Sequence, residues 1–298
     1  MTGFLHKNWR STLQPLAATV VDSCSAGPKA PGAGDWLLAA PRSKATAIPD
    51  DAFICCLRAR LRLDLVPPHT HCAYVFQPNN RTCGKEVAGP ADHAHACCNV
   101  KVNARHNALR DLWLSFYRQA GYHADKEQSV PELGPGNDVE SDVRAVGGPA
   151  EPVRYADVVV THPIQTRAGR ITGSGAGIAA EREERKKLSD YAPRTGGRAV
   201  LLVPLAFESY GRWGDAAALE LRRLARRRSE CADAARSVDA TSVYRGCLRR
   251  WRTELSVLLQ LGNFSIYAAS VQGLRADRLS HAPVCDAGGL ASLIIDGA

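Results

Sequence analysis

Apolar positions along this chain recur with two different periods, and the alternation between them predicts the element order. Between residues 104 and 120, Ala108, Leu109, Leu112, Trp113, Phe116, Tyr117 and Ala120 fall on one helical stripe. Arg105, Arg110, Asp111, Ser115 and Arg118 are expected on the solvent side, and Gly121 stops the helix. A short strand follows from His123 to Val130, closed by Pro131. Two apolar segments, each carrying an aspartate, are then joined by Gly147-Gly148-Pro149, which predicts a strand–turn–strand hairpin. In its second arm Val153, Tyr155, Asp157 and Val159 share one face and Ala156, Val158 and Val160 the other. Apolar residues on both faces predict a central, doubly covered strand.

After a glycine-rich connection from Gly169 to Gly177, Ser174 is the candidate cap of a helix through Ala179–Tyr191. A strongly apolar strand, Ala199 to Phe207, precedes a helix capped by Asp215 and ending in Arg226-Arg227-Arg228. A last helix spans roughly 241–262, with Val243, Cys247, Leu248, Trp251, Leu255 and Leu258 inward. Upstream, Asp50 to Leu63 reads as an amphipathic helix capped by Asp50 or Asp51, with Phe53, Leu57 and Leu61 at four-residue steps and a solvated arginine edge. The succession helix, three strands, helix, strand, helix predicts an α/β fold, a mixed sheet with helices on both faces.

Charge sharpens this picture. The net charge is +8, and residues 154–252 hold 20 Lys+Arg against 11 Asp+Glu, so that segment carries the whole excess. Arg222, Arg223, Arg226, Arg227 and Arg228 crowd into seven residues, a candidate grip for the phosphates of DNA, with RNA as a further candidate. No apolar run has membrane-spanning length, so no membrane partner is expected. The N-terminus lacks the layout of a signal peptide, which leads to the expectation of an intracellular protein whose ten cysteines are thiols or metal ligands. Oligomeric state is not legible in the sequence.

Cys72, Cys83, His93 and Cys97 supply a full tetrahedral set for a structural zinc ion, with His71, His95 and Cys98 as spare donors nearby. The stretch around them is polar and has little else to fold around, though buried free thiols are the plainer alternative. Glu127, Asp142 and Asp157 lie on three successive predicted strands. If the strands pair, these acids converge at one end of the sheet and can hold Mg²⁺ for phosphodiester hydrolysis, with Lys186 or Lys187 orienting the water. Each has an ordinary reading as well: a solvated strand residue, a turn former, the charged face of a helix paired with Glu183 and Glu184.

The run from Trp36 to about Leu274 resembles the C-terminal part of non-LTR retrotransposon polyproteins, in which a reverse transcriptase is followed by a zinc knuckle and a restriction-like endonuclease. The matching stretches include Cys83-Gly84, Ala91-Asp-His93-Ala-His-Ala-Cys97, Arg105-His-Asn-Ala-Leu-Arg-Asp111, Asp157-Val-Val-Val-Thr-His-Pro163 and Pro204-Leu-Ala-Phe-Glu-Ser-Tyr-Gly-Arg-Trp-Gly214. The resemblance implies a knuckle held by Cys72, Cys83, His93 and Cys97, and the PD-(D/E)XK nuclease fold with Asp142 and Asp157 as its acids. It also implies Lys187, with Tyr191, as the later lysine, DNA cleavage as the activity, and the nucleus as the compartment. The residues before Asp142 are Val139-Glu140-Ser141, so the family's Arg-Pro lead is absent, and no aromatic-x-Asp-Asp polymerase motif appears. The expected organisation is a weakly structured segment (1–49), a helix plus zinc module (50–103), a nuclease core (104–230), a helical extension (231–274) and a tail (275–298). The expected function is a Mg-dependent DNA endonuclease domain, the alternative a catalytically inactive zinc-containing nucleic-acid-binding protein or decayed element remnant.

Overall fold

A helical stripe as apolar as the one ending at Ala120 must be covered, and in the computed structural model it lies against one face of a sheet. The structure describes residues 32–40, 43, 46–76, 79–87, 89, 91–97, 100–129, 140–149, 151–167, 170–173, 177–195, 201–236 and 239–271. Helix α1 (Asp50–Arg60) follows a 3-10 turn at Asp35–Leu38. A small hairpin of β1 (Val75–Phe76) and β2 (Arg81–Thr82) precedes a one-turn helix α2 (Asp92–Ala96). The long helix α3 (Val100–Gln119) leads into β3 (His123–Ser129), β4 (Glu140–Val146) and β5 (Arg154–Thr161). A second hairpin, β6 (Ile164–Arg167) with β7 (Arg170–Gly173), is followed by α4 (Ile178–Thr195), β8 (Leu201–Glu208), α5 (Asp215–Arg236) and α6 (Ala240–Ser270).

The main sheet has the order β3-β4-β5-β8. The first three strands form an antiparallel meander, and β8 returns parallel to β5 after the α4 crossover, as a parallel pair requires. The mixed sheet with helices on both faces is therefore present. One face, carrying Val143, Ala145, Ala156, Val158, Val203, Leu205 and Phe207, packs on Leu109, Trp113 and Phe116 of α3 and Leu221 and Leu224 of α5. Trp251, Leu255 and Leu259 of α6 close this core, with the Trp251 ring stacked on Phe116 at 4.6 Å. Helix α4 lies against β5 and β8, with Tyr191 reaching Asp157. The central strand β5 is buried from Tyr155 to Val158, as its two apolar faces predict.

Three expectations are corrected. Arg105 and Arg110 do not face solvent: both are buried, because Arg105 sits four residues before Leu109 and Arg110 three before Trp113, which puts them on the inward half of the helix. Arg105 donates to Asn263 Oδ1 at 2.6 Å, and burial pulls its pKa down to about 10. The arginine edge of α1 is likewise not solvated, since Arg58 donates to the carbonyl of Asp64 at 3.0 and 2.7 Å and Arg60 to that of Tyr210 at 2.6 Å. These carbonyls belong to irregular chain with no ladder partner, and an arginine fork supplies what they lack. Finally, α1 buries Ala52, Cys55, Cys56 and Ala59 rather than Phe53, Leu57 and Leu61, and its Asp50 and Asp51 occupy the first turn after Pro49 instead of capping it. Within the glycine-rich connection expected from Gly169 to Gly177, Arg170–Gly173 is a strand paired with Ile164–Arg167. Ser174 as a cap, Cys98 as a spare ligand and the 275–298 tail lie outside the described residues.

Candidate metal centres

The ten-residue gap between Cys72 and Cys83 is spanned by the β1–β2 hairpin, which folds the two sulfurs back together. His93 and Cys97 come from one turn of α2 and its C-terminal cap. The donor atoms of Cys72, Cys83, His93 and Cys97 all lie within 4.8 Å of one another. Cys72 Sγ and Cys97 Sγ are 3.9 Å apart, and Cys83 Sγ is 3.3 Å from His93 Nε2. A tetrahedral shell with Zn–S bonds of about 2.3 Å spaces its sulfurs by about 3.8 Å, so Cys72 and Cys97 stand as far apart as two corners of such a shell. Burial and the charge of the neighbouring thiols push Cys72 and Cys97 up, while burial and nearby Lys85 pull His93 down. Neutral imidazole is the metal-binding form, and crowded thiols give up their protons when a metal cation binds them. Of the spare donors, His95 bonds Tyr267 Oη at 2.8 Å, and His71 is exposed, pairing with Glu86 only through the backbone.

The second cluster lies on the sheet. The β4–β5 ladder ends at Val143↔Ala156, and the next residues in register are Asp142 and Asp157. There the backbone pairing is replaced by a side chain, since Asp142 Oδ2 accepts the Val158 N–H at 2.7 Å. Glu127 occupies the β3 position opposite Asp142, between the pairs Lys126↔Val143 and Gln128↔Ser141; its side chain lies outside the described residues. Asp157 in turn neighbours Pro204 of β8. One row across the sheet thus reads Glu127, Asp142, Asp157, Pro204.

Helix α4 supplies the cation. Lys187 Nζ lies 2.7 Å from Asp157 Oδ2 and the Tyr191 hydroxyl donates to the same oxygen at 3.2 Å, whereas Lys186 is exposed. The two aspartates interact directly. Burial raises Asp142, but the hydrogen bond and charge of His106 outweigh it and hold the carboxyl low. Burial raises Asp157 and, with the charge of Asp142, prevails over Lys187. The touching pair is thus split, with one carboxyl raised by burial and the other held low by its histidine. Oxygen donors of this kind suit a hard divalent cation, Mg²⁺ among them.

His106 was not among the expected site residues. Its Nε2 lies 3.1 Å from Asp142 Oδ2 and 3.0 Å from the Val158 carbonyl. The periodicity carried the signal, for His106 precedes Leu109 by three residues and Trp113 by seven, on the edge of the buried stripe.

A third network, also unforeseen, joins the two centres. Asp92, the first residue of α2, accepts both terminal nitrogens of Arg62 and the His162 Nε2–H at 3.1 Å. His162 Nδ1 meets Ser209 Oγ at 2.6 Å, and the His95 ring stacks on that of His162 at 4.4 Å. An Asp–His–Ser chain results, but Ser209 is buried at 1 % exposure and serves as a strut between helix α2 and the end of β5, out of reach of substrate. Burial is the largest influence on His162 and lowers its pKa, so it is neutral in the fold. Between its folded pKa and the unfolded value near 6.5 the unfolded chain binds more protons, so stability is full above that value and falls as pH drops below it. Calorimetric melting from pH 7.5 down to 5.5 with excess zinc will show a declining midpoint, each such histidine contributing up to about 1.4 kcal/mol per pH unit. His162→Gln will flatten the decline, and an unchanged slope in that variant would remove the histidine from the account.

The arginine cluster is divided. Arg222 and Arg226 are exposed, but Arg223 holds Glu220 at 2.6 and 2.8 Å, Arg227 pairs with Glu151, and Arg228 donates to the Gln119 carbonyl at 2.6 Å. Exposed Arg245, Arg249 and Arg250 lie on the adjoining helix α6. Among the described residues no helix is long and apolar enough to cross a membrane. No protein-family model matches the chain, and a search of curated proteins returned no match.

Proposed function

We propose that this chain is a Mg²⁺-dependent DNA endonuclease domain of the PD-(D/E)XK type, braced by a structural zinc module and acting in the nucleus. The observation that carries the reading is the meeting of Asp142 and Asp157 where β4 and β5 part, with Lys187 Nζ 2.7 Å from Asp157. The element order supports it, since an antiparallel meander after one helix and a parallel strand after the next is the core of that fold. The departure is instructive. The position two residues after Asp157 is Val159, where the motif places its lysine, and the ammonium arrives instead from α4.

Asp142 and Asp157 would hold the cation, with Glu127 in register beside them. Bound there, Mg²⁺ supplies a lowered water pKa and neutralises charge that builds on the phosphate. Lys187 then exchanges its bond to Asp157 for the attacking water or a phosphate oxygen, and Tyr191 keeps Asp157 in place. Arg222, Arg226, Arg245 and Arg249 offer solvent-facing guanidinium groups for duplex phosphates. Zinc at Cys72, Cys83, His93 and Cys97 leaves no open position for water and is therefore structural.

The test is conversion of supercoiled plasmid by the zinc-loaded chain in Mg²⁺, with a chelator control and with Asp142→Ala and Asp157→Ala. Cleavage lost in both variants supports the nuclease. Plasmid bound but uncut by all three identifies an inert nucleic-acid-binding protein.

A further inference from the structure

The carboxylate of Asp142 is oriented from two sides. Its Oδ2 accepts the Val158 N–H at 2.7 Å and faces His106 Nε2 at 3.1 Å. The same ring nitrogen lies 3.0 Å from the Val158 carbonyl, so both of its neighbours are acceptors and Nε2 carries the hydrogen. His106 therefore bridges the side chain of Asp142 to the backbone of the residue after Asp157. On the far side of the ring Nδ1 is 3.3 Å from Asn107 Oδ1, an acceptor that Nδ1 can bond only when the ring carries its second proton. Both donors fall on one carboxylate oxygen, and neither takes Oδ1.

The arrangement is poor value as a fold support. The His106 side chain is 33 % exposed, and the Val158 N–H has its acceptor in Asp142 without any help from the imidazole. Removing the ring strands no buried donor. What the ring does constrain is the torsion of Asp142, and hence which oxygen is presented beside Asp157. A carboxylate that must present one chosen oxygen to a cation benefits from this kind of outer partner, whose loss typically costs about 10–100-fold in metal affinity.

We propose that His106 is a positioning residue that sets Asp142 for divalent-cation binding, saturating Oδ2 so that Oδ1 is the oxygen turned to the ion. This rests on the reading of Asp142 and Asp157 as a cation site, and the experiment separates the two. The zinc-loaded full chain is titrated with Mn²⁺ and the free ion followed by electron paramagnetic resonance, with Asp142→Ala marking the site. The expected result is Mn²⁺ binding that Asp142→Ala abolishes and that His106→Ala weakens about 10–100-fold. His106→Gln, whose amide N–H replaces the Nε2–H, recovers most of the affinity, and His106→Phe, which keeps the ring volume without the donor, does not. Melting midpoints of the His106 variants stay within a few degrees of the parent, and the Phe–Gln pair decides the matter should the alanine variant fail to fold. Affinity unchanged in His106→Ala, or equal in the Gln and Phe variants, overturns the positioning role while leaving the cation site standing. Mn²⁺ binding that is absent, or indifferent to Asp142→Ala, overturns both.

Discussion

Cys97→Ser will carry no zinc and will melt more than about 10 °C below the parent, which will hold one zinc per chain; metal analysis and calorimetry measure both. The size of the effect follows from what the metal replaces. The cluster around Cys72, Val87 and Ala94 is small and is bordered by irregular chain and two-residue strands. Binding of a structural zinc is worth about 10–16 kcal/mol in isolated finger peptides, as much as the whole stability of an ordinary domain, about 5–15 kcal/mol. The loss should also spread. Asp92 stands next to the ligand His93 and is tied to Arg62 and His162, and Ile266 and Tyr267 of α6 pack into the same cluster. Unfolding of the metal-free variant is therefore expected to begin in the module and to loosen the end of β5 with it. A variant that loses the metal yet melts like the parent would reduce the four donors to buried thiols and a histidine.

Asp157→Ala will lower the rate of plasmid cleavage about a thousandfold, Lys187→Ala about a hundred- to a thousandfold, and Lys186→Ala not at all. Loss of an anionic ligand removes several kcal/mol of charge stabilisation at the reacting phosphate, and about 1.4 kcal/mol is tenfold in rate. The contrast between adjacent lysines is the sharper part. Lys187 reaches Asp157, whereas Lys186 faces water one residue earlier on the same helix, about 100° round its axis. DNA affinity of all three variants, measured by fluorescence anisotropy, will stay within about threefold of the parent, because phosphate binding is assigned to α5 and α6. Equal loss at both lysines would mean that α4 contributes charge to binding and not a group to the chemistry.

Much of this was legible before any coordinates. Zinc donors announce themselves because cysteine and histidine in a polar stretch have few other uses, and the order of elements follows from periods of two and 3.6. The strand through Asp157 was readable as central because both its faces are apolar. Reading failed where a polar side chain turns inward for a tertiary partner. Arg58 and Arg105 look like solvent residues by type, and what buries them is a carbonyl and an amide that local periodicity does not reveal.

The sequence by itself determined the candidate metal-ligand set, the α/β succession and the presence of a carboxylate in each of three consecutive strands. Only the tertiary structure decided that Asp142 and Asp157 meet, because register is set by the pairing of Val143 with Ala156 across the sheet. It alone chose Lys187 over Lys186, through the docking of α4 on β5, and brought His106 from thirty-six residues away to Asp142. It also withdrew Arg223, Arg227 and Arg228 from a uniformly solvated face by giving each a partner within the molecule. Each of these outcomes depends on which surfaces pack together, and packing joins residues distant in sequence whose contact no local pattern encodes.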